Sequence, residues 1–391
     1  MRKGIFLAGA IPLLLPSIAL ATPDIRFNGF MTAGGVVTDT DDATFLGANK
    51  DVSFEPDSVV GLQLTANLID NVSVTTQLIA NGQDDFDPDV EWAFLSYGLT
   101  DNTNLRMGRL RIPFFMISDY LEVGYAYPWV RPPIDVYGQL AFSRYNGLNV
   151  VSLQQWGNWS AALQGYFGTT SPEQDFFGDT GSLDVTNLWG FNLTLSYDEL
   201  MIRIGHTEGD YDLVGINQID SLLAGLQGNG FESLANRLGV EDKHGSFSGI
   251  GVTWDSEKLL MMAEYTLRSS DGLISDTEGW YVMAGYRSDQ WLFHITVSEL
   301  TTREDYRNVE QTLNGFDPSG NTTPGTDFVV LMTNDEQSVT LGTKYTTRSN
   351  VIFKLELQHI ELGDKSSGML QNLSAEVDNL NVLSFTADVV F

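Results

Sequence analysis

Cysteine is absent from the 391-residue sequence, which excludes disulfides, thiolate metal sites and a cysteine nucleophile. Long apolar runs are also missing: beyond the N-terminal segment, nothing approaches the roughly 18 uninterrupted apolar residues of a transmembrane helix. Positive charge is scarce, because 21 lysines and arginines stand against 51 aspartates and glutamates, a formal net charge of −30. Binding of nucleic acid requires clustered positive charge, so no nucleic-acid partner is expected.

The N-terminal segment has the composition of a secretory signal peptide. The basic residues Arg2 and Lys3 precede a largely apolar run, and the small-residue pattern A-L-A at 19–21 provides a cleavage site. The apolar run is too short to span a bilayer. We therefore predict a signal peptide at residues 1–21 and a single mature domain at residues 22–391.

After this segment, the sequence alternates between runs with period-two hydrophobicity and connectors. In the last run, Leu383 and Phe385 share one face while Ser384 and Thr386 share the other. Strict alternation of this kind is typical of half-buried β-strands. The predicted strands number sixteen and lie near residues 25–37, 58–68, 71–81, 89–99, 103–111, 144–154, 158–167, 188–197, 199–208, 247–255, 257–268, 279–288, 290–301, 337–347, 350–362 and 382–391.

The connectors between these strands alternate in length. Tight turns separate longer links, which lie near 38–57, 82–88, 112–143, 168–187, 209–246, 269–278, 302–336 and 363–381. Short turns at one end and long loops at the other form the pattern of an up-and-down outer-membrane barrel. We therefore predict an all-β fold, a 16-stranded antiparallel transmembrane β-barrel with short periplasmic turns and long external loops.

Aromatic residues near the short turns support a barrel in a membrane. A girdle at the membrane–water interface requires such clustering, because the rings prefer the headgroup level. The alternative is a secreted soluble β protein, in which aromatic residues should lie in mid-strand. The aromatic residues near short turns are Tyr97, Trp156, Trp159, Tyr197, Trp254, Tyr286, Trp291 and Tyr345.

Three features together resemble the trimeric Gram-negative porins: the N-terminal leader, sixteen strands with a long third external loop, and a final strand ending in Phe391. Residues 105–138, "LRMGRLRIPFFMISDYLEVGYAYPWVRPPIDVYG", resemble the strand-to-loop passage of one porin branch. The resemblance implies that the loop at 112–143 folds into the barrel and narrows the pore. It also implies a homotrimer in the outer membrane of a Gram-negative bacterium, with Phe391 as the assembly signal. The loop lacks the acidic Pro-Glu-Phe-Gly-Gly-like tip of many general porins.

Five of the 21 basic residues lie within 106–144. Alternation in the fifth strand points Arg106 into the lumen. Strict continuation would send Arg109 outward, where a charge facing lipid costs roughly 2–4 kcal/mol at the bilayer midplane. A bulge at Gly108 would instead turn Arg109 and Arg111 toward the channel or its mouth.

Arginines on the wall that face carboxylates on an inserted loop would create a transverse field across the pore. Such a field passes small polar molecules and ions and slows bulky apolar solutes, and rings of charge set ion preference. The alternative is that some arginines form structural salt bridges or contact a neighbouring subunit. The predicted constriction residues are Arg106, Arg109, Arg111, Asp119, Glu122, Arg131, Asp135 and Arg144. Alternation predicts further lumen-facing cations at Arg26, Arg203, Arg268, Arg287, Lys344 and Lys354.

Acidic runs lie in the predicted external loops at 39–42, 84–89 and 173–179. They could bind Ca²⁺ or Mg²⁺ ions that bridge to lipopolysaccharide, since both cations prefer carboxylate oxygens. The alternative is an ordinary solvated loop surface, and no other cofactor is predicted. Residues 217–238, within the loop at 209–246, have a helical spacing of apolar residues and could cap the mouth or contact a neighbouring subunit.

Catalysis has little support in the sequence. The histidines His206, His244, His294 and His359 are scattered, and none has a partner at metal-ligand or triad spacing. An outer-membrane hydrolase using the lumen-facing His294 remains an alternative. We expect a water-filled channel for passive diffusion of small hydrophilic solutes and ions, not an enzyme. The sequence is also compatible with a channel selective for anions or organic acids, and with a barrel serving mainly as an adhesin or phage receptor.

Overall fold

The computed structural model describes residues 24–140, 142–176, 179–303, 309, 310, 330, 332–371 and 377–391. The predicted signal peptide at 1–21 lies outside these residues, as does much of the predicted loop at 302–336. Within the described ranges, seventeen strands form one antiparallel sheet. They are β1 (Asp24–Thr38), β2 (Val59–Ile69), β3 (Val72–Asn81), β4 (Asp89–Thr100), β5 (Thr103–Arg111), β6 (Arg144–Trp156), β7 (Trp159–Thr170), β8 (Glu173–Phe176), β9 (Asp179–Tyr197), β10 (Leu200–Val214), β11 (Lys243–Asp255), β12 (Leu259–Ser270), β13 (Thr277–Ser288), β14 (Trp291–Thr302), β15 (Glu336–Thr346), β16 (Val351–Leu362) and β17 (Asn379–Val390).

Sixteen of the described strands close into a barrel. β1 pairs with β2 on one side and with β17 on the other, so the first and last strands are joined. The remaining strand, β8, pairs only with the external part of β9. Backbone bonds of 2.7 and 2.9 Å between Gly29 and Phe391 continue the closure beyond the end of β17. The predicted 16-stranded antiparallel barrel is confirmed.

The observed strands differ most from the predicted ones at the external ends of β9, β10 and β11. These ends lie several residues beyond the predicted limits, at Asp179, Val214 and Lys243. Inward side chains of the extensions, including Leu183 and Leu213, are buried in the main hydrophobic cluster. The extensions are therefore stabilised by contacts with distant loop residues, which alternation within one strand does not reveal.

Apolar side chains cover the outer face of the barrel, and polar ones face inward. On β16, Phe353 and Leu355 are about half exposed, whereas Lys354 and Glu356 are buried. An outward apolar band with aromatic residues at its edge is what a transmembrane barrel presents to lipid. The exposed aromatics beside the short turns are Tyr97, Trp156, Trp159, Tyr197, Trp254, Tyr286 and Trp291.

The third external loop, residues 112–143, runs through the lumen. It contains the short helix α1 (Ile134–Tyr137). Its Trp129 and Val136 are buried in the main hydrophobic cluster together with the wall residues Tyr281 and Met283. The predicted insertion of the third loop is therefore confirmed.

Other loops pack into the external end of the barrel. Helices α2 (Asn217–Gly228) and α3 (Glu232–Arg237) occupy the segment predicted to be helical, and α2 buries Ile219 and Leu226 in the main cluster. The first loop contributes Phe45 to a second cluster, which includes Leu380 of β17. None of the helices in the described part of the chain is long and apolar enough to cross a membrane.

Candidate functional site

Two lysines on the barrel wall hold the inserted loop by its backbone. Lys354 donates from Nζ to the carbonyl oxygens of Gly124, at 2.5 Å, and Trp129, at 2.6 Å. Lys344 donates to the carbonyl oxygens of Tyr125, at 3.0 Å, and Tyr127, at 3.2 Å. Both lysines face the lumen as predicted, but their bonds go to the loop.

Carboxylates on the wall accept the loop's N–H and O–H donors. Glu264 accepts the Met116 backbone N–H at 2.8 Å and the Tyr137 hydroxyl at 2.7 Å. Glu356 accepts the Val130 backbone N–H at 2.9 Å. Neither glutamate was among the predicted site residues. The sequence did contain a signal for this role, because both glutamates lie at inward positions of alternating strands. A carboxylate buried there against an inserted loop is costly unless it accepts hydrogen bonds.

The predicted lumen-facing arginines also contact loop backbone or nearby carboxylates. Arg203 donates to the carbonyl oxygen of Pro113 at 3.2 Å. Arg268 donates to the carbonyl oxygens of Gln139 and Ser275. At the short-turn end, Arg287 lies 2.5 Å from the carboxylate of Asp255. A further pair there joins the exposed side chains of Arg26 and Asp24, at 3.4 Å.

Arg131, one of the predicted constriction residues, lies on the inserted loop, and its side chain bonds to the first loop and to β17. Both carboxylate oxygens of Asp57 accept from its guanidinium, and the Ser384 hydroxyl accepts at 2.7 Å. Its guanidinium carbon also lies 5.1 Å from the centre of the Phe45 ring. Burial opposes the positive charge, yet the Asp57 carboxylate raises the pKa of Arg131 above its ordinary value. Arg131 therefore joins the inserted loop to the first loop.

Asp135 was predicted to face the arginines across the pore, and this is wrong. Its carboxylate is fully buried against the opposite wall, where it accepts from the hydroxyls of Ser298, at 2.5 Å, and Ser338, at 2.9 Å. Burial raises the pKa of Asp135, although the two serine hydroxyls act in the opposite direction. Asp135 thus fastens α1 to β14 and β15.

Arg111 turns inward, but not through the predicted bulge at Gly108. Gly108 pairs in register with Phe94 and Gly147, and the register shift lies in β4 instead, beside Glu91. The buried Arg111 guanidinium contacts Glu91 at 2.7 Å and Glu122 at 2.5 Å. Gly108 has φ +137°, and a Cβ there would lie 2.2 Å from a backbone oxygen of β4, so only glycine fits.

Arg109 was predicted to turn toward the channel or its mouth; it lies at the external rim, on the outward side of β5, and does not line the channel. Its strand neighbour Ala93 is exposed, and its guanidinium donates to the Val90 carbonyl at 3.1 Å. Arg109 and Arg144 both contact the Asp89 carboxylate at the external end of β4. These two arginines therefore form structural salt bridges, which was the predicted alternative to a place in the constriction.

Within the described part of the chain, three cavities with charged, amide and hydroxyl side chains in their linings, the polar cavities, lie between the inserted loop and the wall. One, of about 480 Å³, lies against β2–β7, β9 and β10 and is lined by Arg106 and Arg203. A second, of about 460 Å³, shares Arg111 and Asp119 with it. The third, of about 610 Å³, lies toward the short turns and shares Tyr120 with the second. The shared residues show that the first cavity adjoins the second and that the second adjoins the third.

Arg106 lines the first cavity and has no acidic partner within salt-bridge distance among the described residues. Its guanidinium carbon lies 5.5 Å from the centre of the Phe94 ring. Arg203 lies 3.6 Å from the Asp119 carboxylate, which is 59% exposed. The predicted arrangement of wall arginines facing loop carboxylates is thus seen for Arg203 with Asp119 and for Arg111 with Glu122. Amide and hydroxyl side chains complete the lining, namely Gln63, Ser73, Thr75, Ser96, Asn149, Gln164 and Thr194.

The histidines and acidic runs do not assemble a metal site in the part of the chain that is described. There, no three histidine, aspartate or glutamate side chains come together in a way that could hold a metal ion. His206 and His244 pair with Glu208 and Asp210 near the external rim. Residues 177–178 of the third acidic run lie outside the described residues.

No protein-family model and no curated protein matches the chain. The chain does match solved structures with the same fold. The outer membrane channel DcaP of Acinetobacter baumannii is 12% identical with a TM-score of 0.58, over 94% of this chain and 97% of that one. An anion-selective porin from Comamonas acidovorans is 12% identical with a TM-score of 0.57, over 94% and 100%. In-vitro folded OmpT of Vibrio cholerae, in its trimer form, is 12% identical with a TM-score of 0.51, over 95% and 100%. The likeness shows that the chain has the outer-membrane porin fold.

Proposed function

We propose that the protein is a porin of the Gram-negative outer membrane, a water-filled channel for passive diffusion of small hydrophilic solutes and ions, and not an enzyme. The observation that carries this proposal is the set of adjoining polar cavities beside a firmly anchored loop. Their lining of amides, hydroxyls and charged groups suits hydrated solutes. The Acinetobacter channel and the Comamonas porin, which have this fold, support the same interpretation.

The charges that line the cavities favour small anions and organic acids over cations. Arg106 has no acidic partner among the described residues, whereas Arg111 is neutralised by Glu91 and Glu122. A guanidinium binds a carboxylate through two parallel hydrogen bonds, so the Arg106 guanidinium can bind the carboxylate of an organic acid that passes through the channel. The many acidic groups of the external loops act less strongly, since salt screens charges beyond about 8–10 Å.

We also propose that three copies assemble in the membrane, with outer-membrane lipids and lipopolysaccharide around the apolar band. Support comes from the resemblance to trimeric porins and from the trimer form of Vibrio cholerae OmpT. Cross-linking of the protein in native membranes tests this directly. A ladder ending at three copies is expected, and a ladder that stops at one copy would contradict the trimer.

Planar-bilayer recording of the purified protein tests the channel and its preference together. Stable ohmic openings are expected, with a reversal potential in a salt gradient that shows anion preference. In Arg106→Ala the anion-to-cation permeability ratio should fall by about two- to threefold, because the unpaired cation is lost. Arg348→Ala, which removes the same charge from an exposed turn, is the control. Absence of openings from correctly folded protein would rule out the channel, whereas an unchanged ratio in Arg106→Ala would rule out only the selectivity assignment.

A further inference from the structure

An apolar cavity lies at the external end of the barrel, apart from the three polar cavities. It measures about 220 Å³ and lies between the inserted loop and the external ends of β9–β12. Phe114 and Phe142 of the loop form one side, and Leu183, Val185 and Phe247 of the strands form the other. None of these five residues lines the polar cavities. The two kinds of space are therefore chemically distinct.

Most polar side chains at the edge of the apolar cavity are already bonded within the protein. The hydroxyls of Tyr211 and Ser270 lie 2.5 Å apart, and the Arg268 guanidinium donates to the Gln139 carbonyl oxygen. Among the described residues, none that lines the cavity has a buried side-chain nitrogen or oxygen without a hydrogen-bond partner. A sugar or an ion would therefore lose hydration there and gain few new hydrogen bonds, which disfavours polar ligands.

Phenylalanine rings define the geometry of the cavity. The Phe114 ring meets the Phe142 ring at 81° and the Phe247 ring at 74°, both with centres 5.5 Å apart. These edge-to-face arrangements are those that aromatic pairs prefer. A further ring inserted between the loop and the strands can adopt the same geometry, so the lining favours an aromatic ligand over an aliphatic one.

The volume of the cavity limits the size of that ligand. An apolar cavity of about 150 Å³ lined by Leu, Ile and Phe binds benzene. A cavity of about 220 Å³ has room for one ring with small substituents and is too small for a long acyl chain. We propose that this external pocket binds a small, neutral, monocyclic aromatic molecule. The inference does not depend on conduction, because binding can be measured on a channel that is closed.

Crystals of the protein soaked with iodobenzene test the site directly. Anomalous scattering from iodine should show a peak inside the cavity lined by Phe142, Leu183 and Val185. Iodine peaks confined to the apolar outer band of the barrel would overturn the proposal. Detergent or lipid in the pocket, unmoved by iodobenzene, would assign it a different occupant and would also overturn the proposal.

Fluorine NMR of fluorobenzene with protein in lipid nanodiscs gives the affinity, after subtraction of the signal from empty nanodiscs. Val185→Phe should abolish saturable binding by filling the pocket. Val185→Thr keeps the side-chain volume and places a hydroxyl on the wall, so binding should weaken by about fivefold. Val214→Thr, on an exposed β10 residue, is the control and should bind like the unmodified protein. Equal binding by folded Val185→Thr and Val214→Thr would show that the ring does not occupy this pocket.

Discussion

Lys354 and Trp129 are separated by 225 positions in the sequence, yet the lysine Nζ lies 2.6 Å from the tryptophan carbonyl oxygen. The same ammonium group lies 3.3 Å from the buried carboxylate of Asp388. One cation therefore neutralises a wall carboxylate and binds the backbone of the inserted loop. The position of the loop, and with it the shape of the polar cavities, depends on this contact.

Replacement of Lys354 by Met should loosen the inserted loop and destabilise the barrel. The substitution keeps an unbranched side chain but leaves the buried Asp388 carboxylate unpaired, which typically costs about 3–5 kcal/mol. We expect a lower unfolding midpoint in urea and noisier single-channel currents. Lys50→Met, at an exposed ion pair with Asp41, should change stability by less than about 0.5 kcal/mol. Quiet currents and an unchanged midpoint in Lys354→Met would show that the contact does not hold the loop.

Glu264 offers a comparison of two substitutions at one position. Glu264→Leu leaves the Met116 N–H and the Tyr137 hydroxyl buried without an acceptor, at about 1–3 kcal/mol each. In Glu264→Gln the amide oxygen can accept from Met116 while its NH₂ donates to the rotated Tyr137 hydroxyl. We therefore expect a large loss of stability for Leu and a small one for Gln, measured by urea unfolding. If the two variants unfolded at the same midpoint, these hydrogen bonds would not be what anchors the loop.

The strands could be predicted from the sequence because lipid and lumen select opposite side chains at successive positions. This physical contrast is strong along β16, where Phe353 and Leu355 face out and Lys354 and Glu356 face in. It is absent at the external ends, where the inward side chains are apolar and pack against loop residues while outward ones such as Thr186 are exposed. For that reason the extended strand ends around Leu183 and Leu213 were missed.

The sequence predicted whether a site residue faces the lumen better than it predicted the group to which that residue bonds. Alternation correctly turned Arg106, Lys344 and Lys354 toward the lumen, but it could not show that both lysines bind loop carbonyls. Arg111 is buried against Glu91, which lies at the register shift between β3 and β4, and no residue pattern in the sequence predicts that shift. The assignment of Phe391 as an assembly signal stays a prediction; the residue lies beside Gly29 at the join of β1 and β17.

Removal of the exposed loop carboxylate should change selectivity in the direction opposite to removal of Arg106. Asp119 lies 3.6 Å from Arg203, and Asp119→Asn would leave that arginine free to attract anions. The anion-to-cation permeability ratio should rise by about twofold, measured from reversal potentials in a salt gradient. Asp51→Asn, in an exposed external loop, is the matched control. A ratio that falls in Asp119→Asn would contradict the proposed position of these charges in the ion path.

Ionisation of Asp135 should weaken the attachment of the inserted loop to the wall as pH rises. Burial raises its pKa in the folded protein above the ordinary value of 3.8, so the folded state binds more protons than the unfolded state above that pH. Stability is therefore full below about pH 3.8 and declines as pH rises toward the folded-state pKa. Asp135→Asn cannot ionise, yet it can accept from Ser298 and donate to Ser338, so its urea midpoint should lose this decline. The neighbouring carboxyl of Glu336 is unchanged in the variant, and an identical pH profile in both proteins would assign the dependence to Glu336 instead.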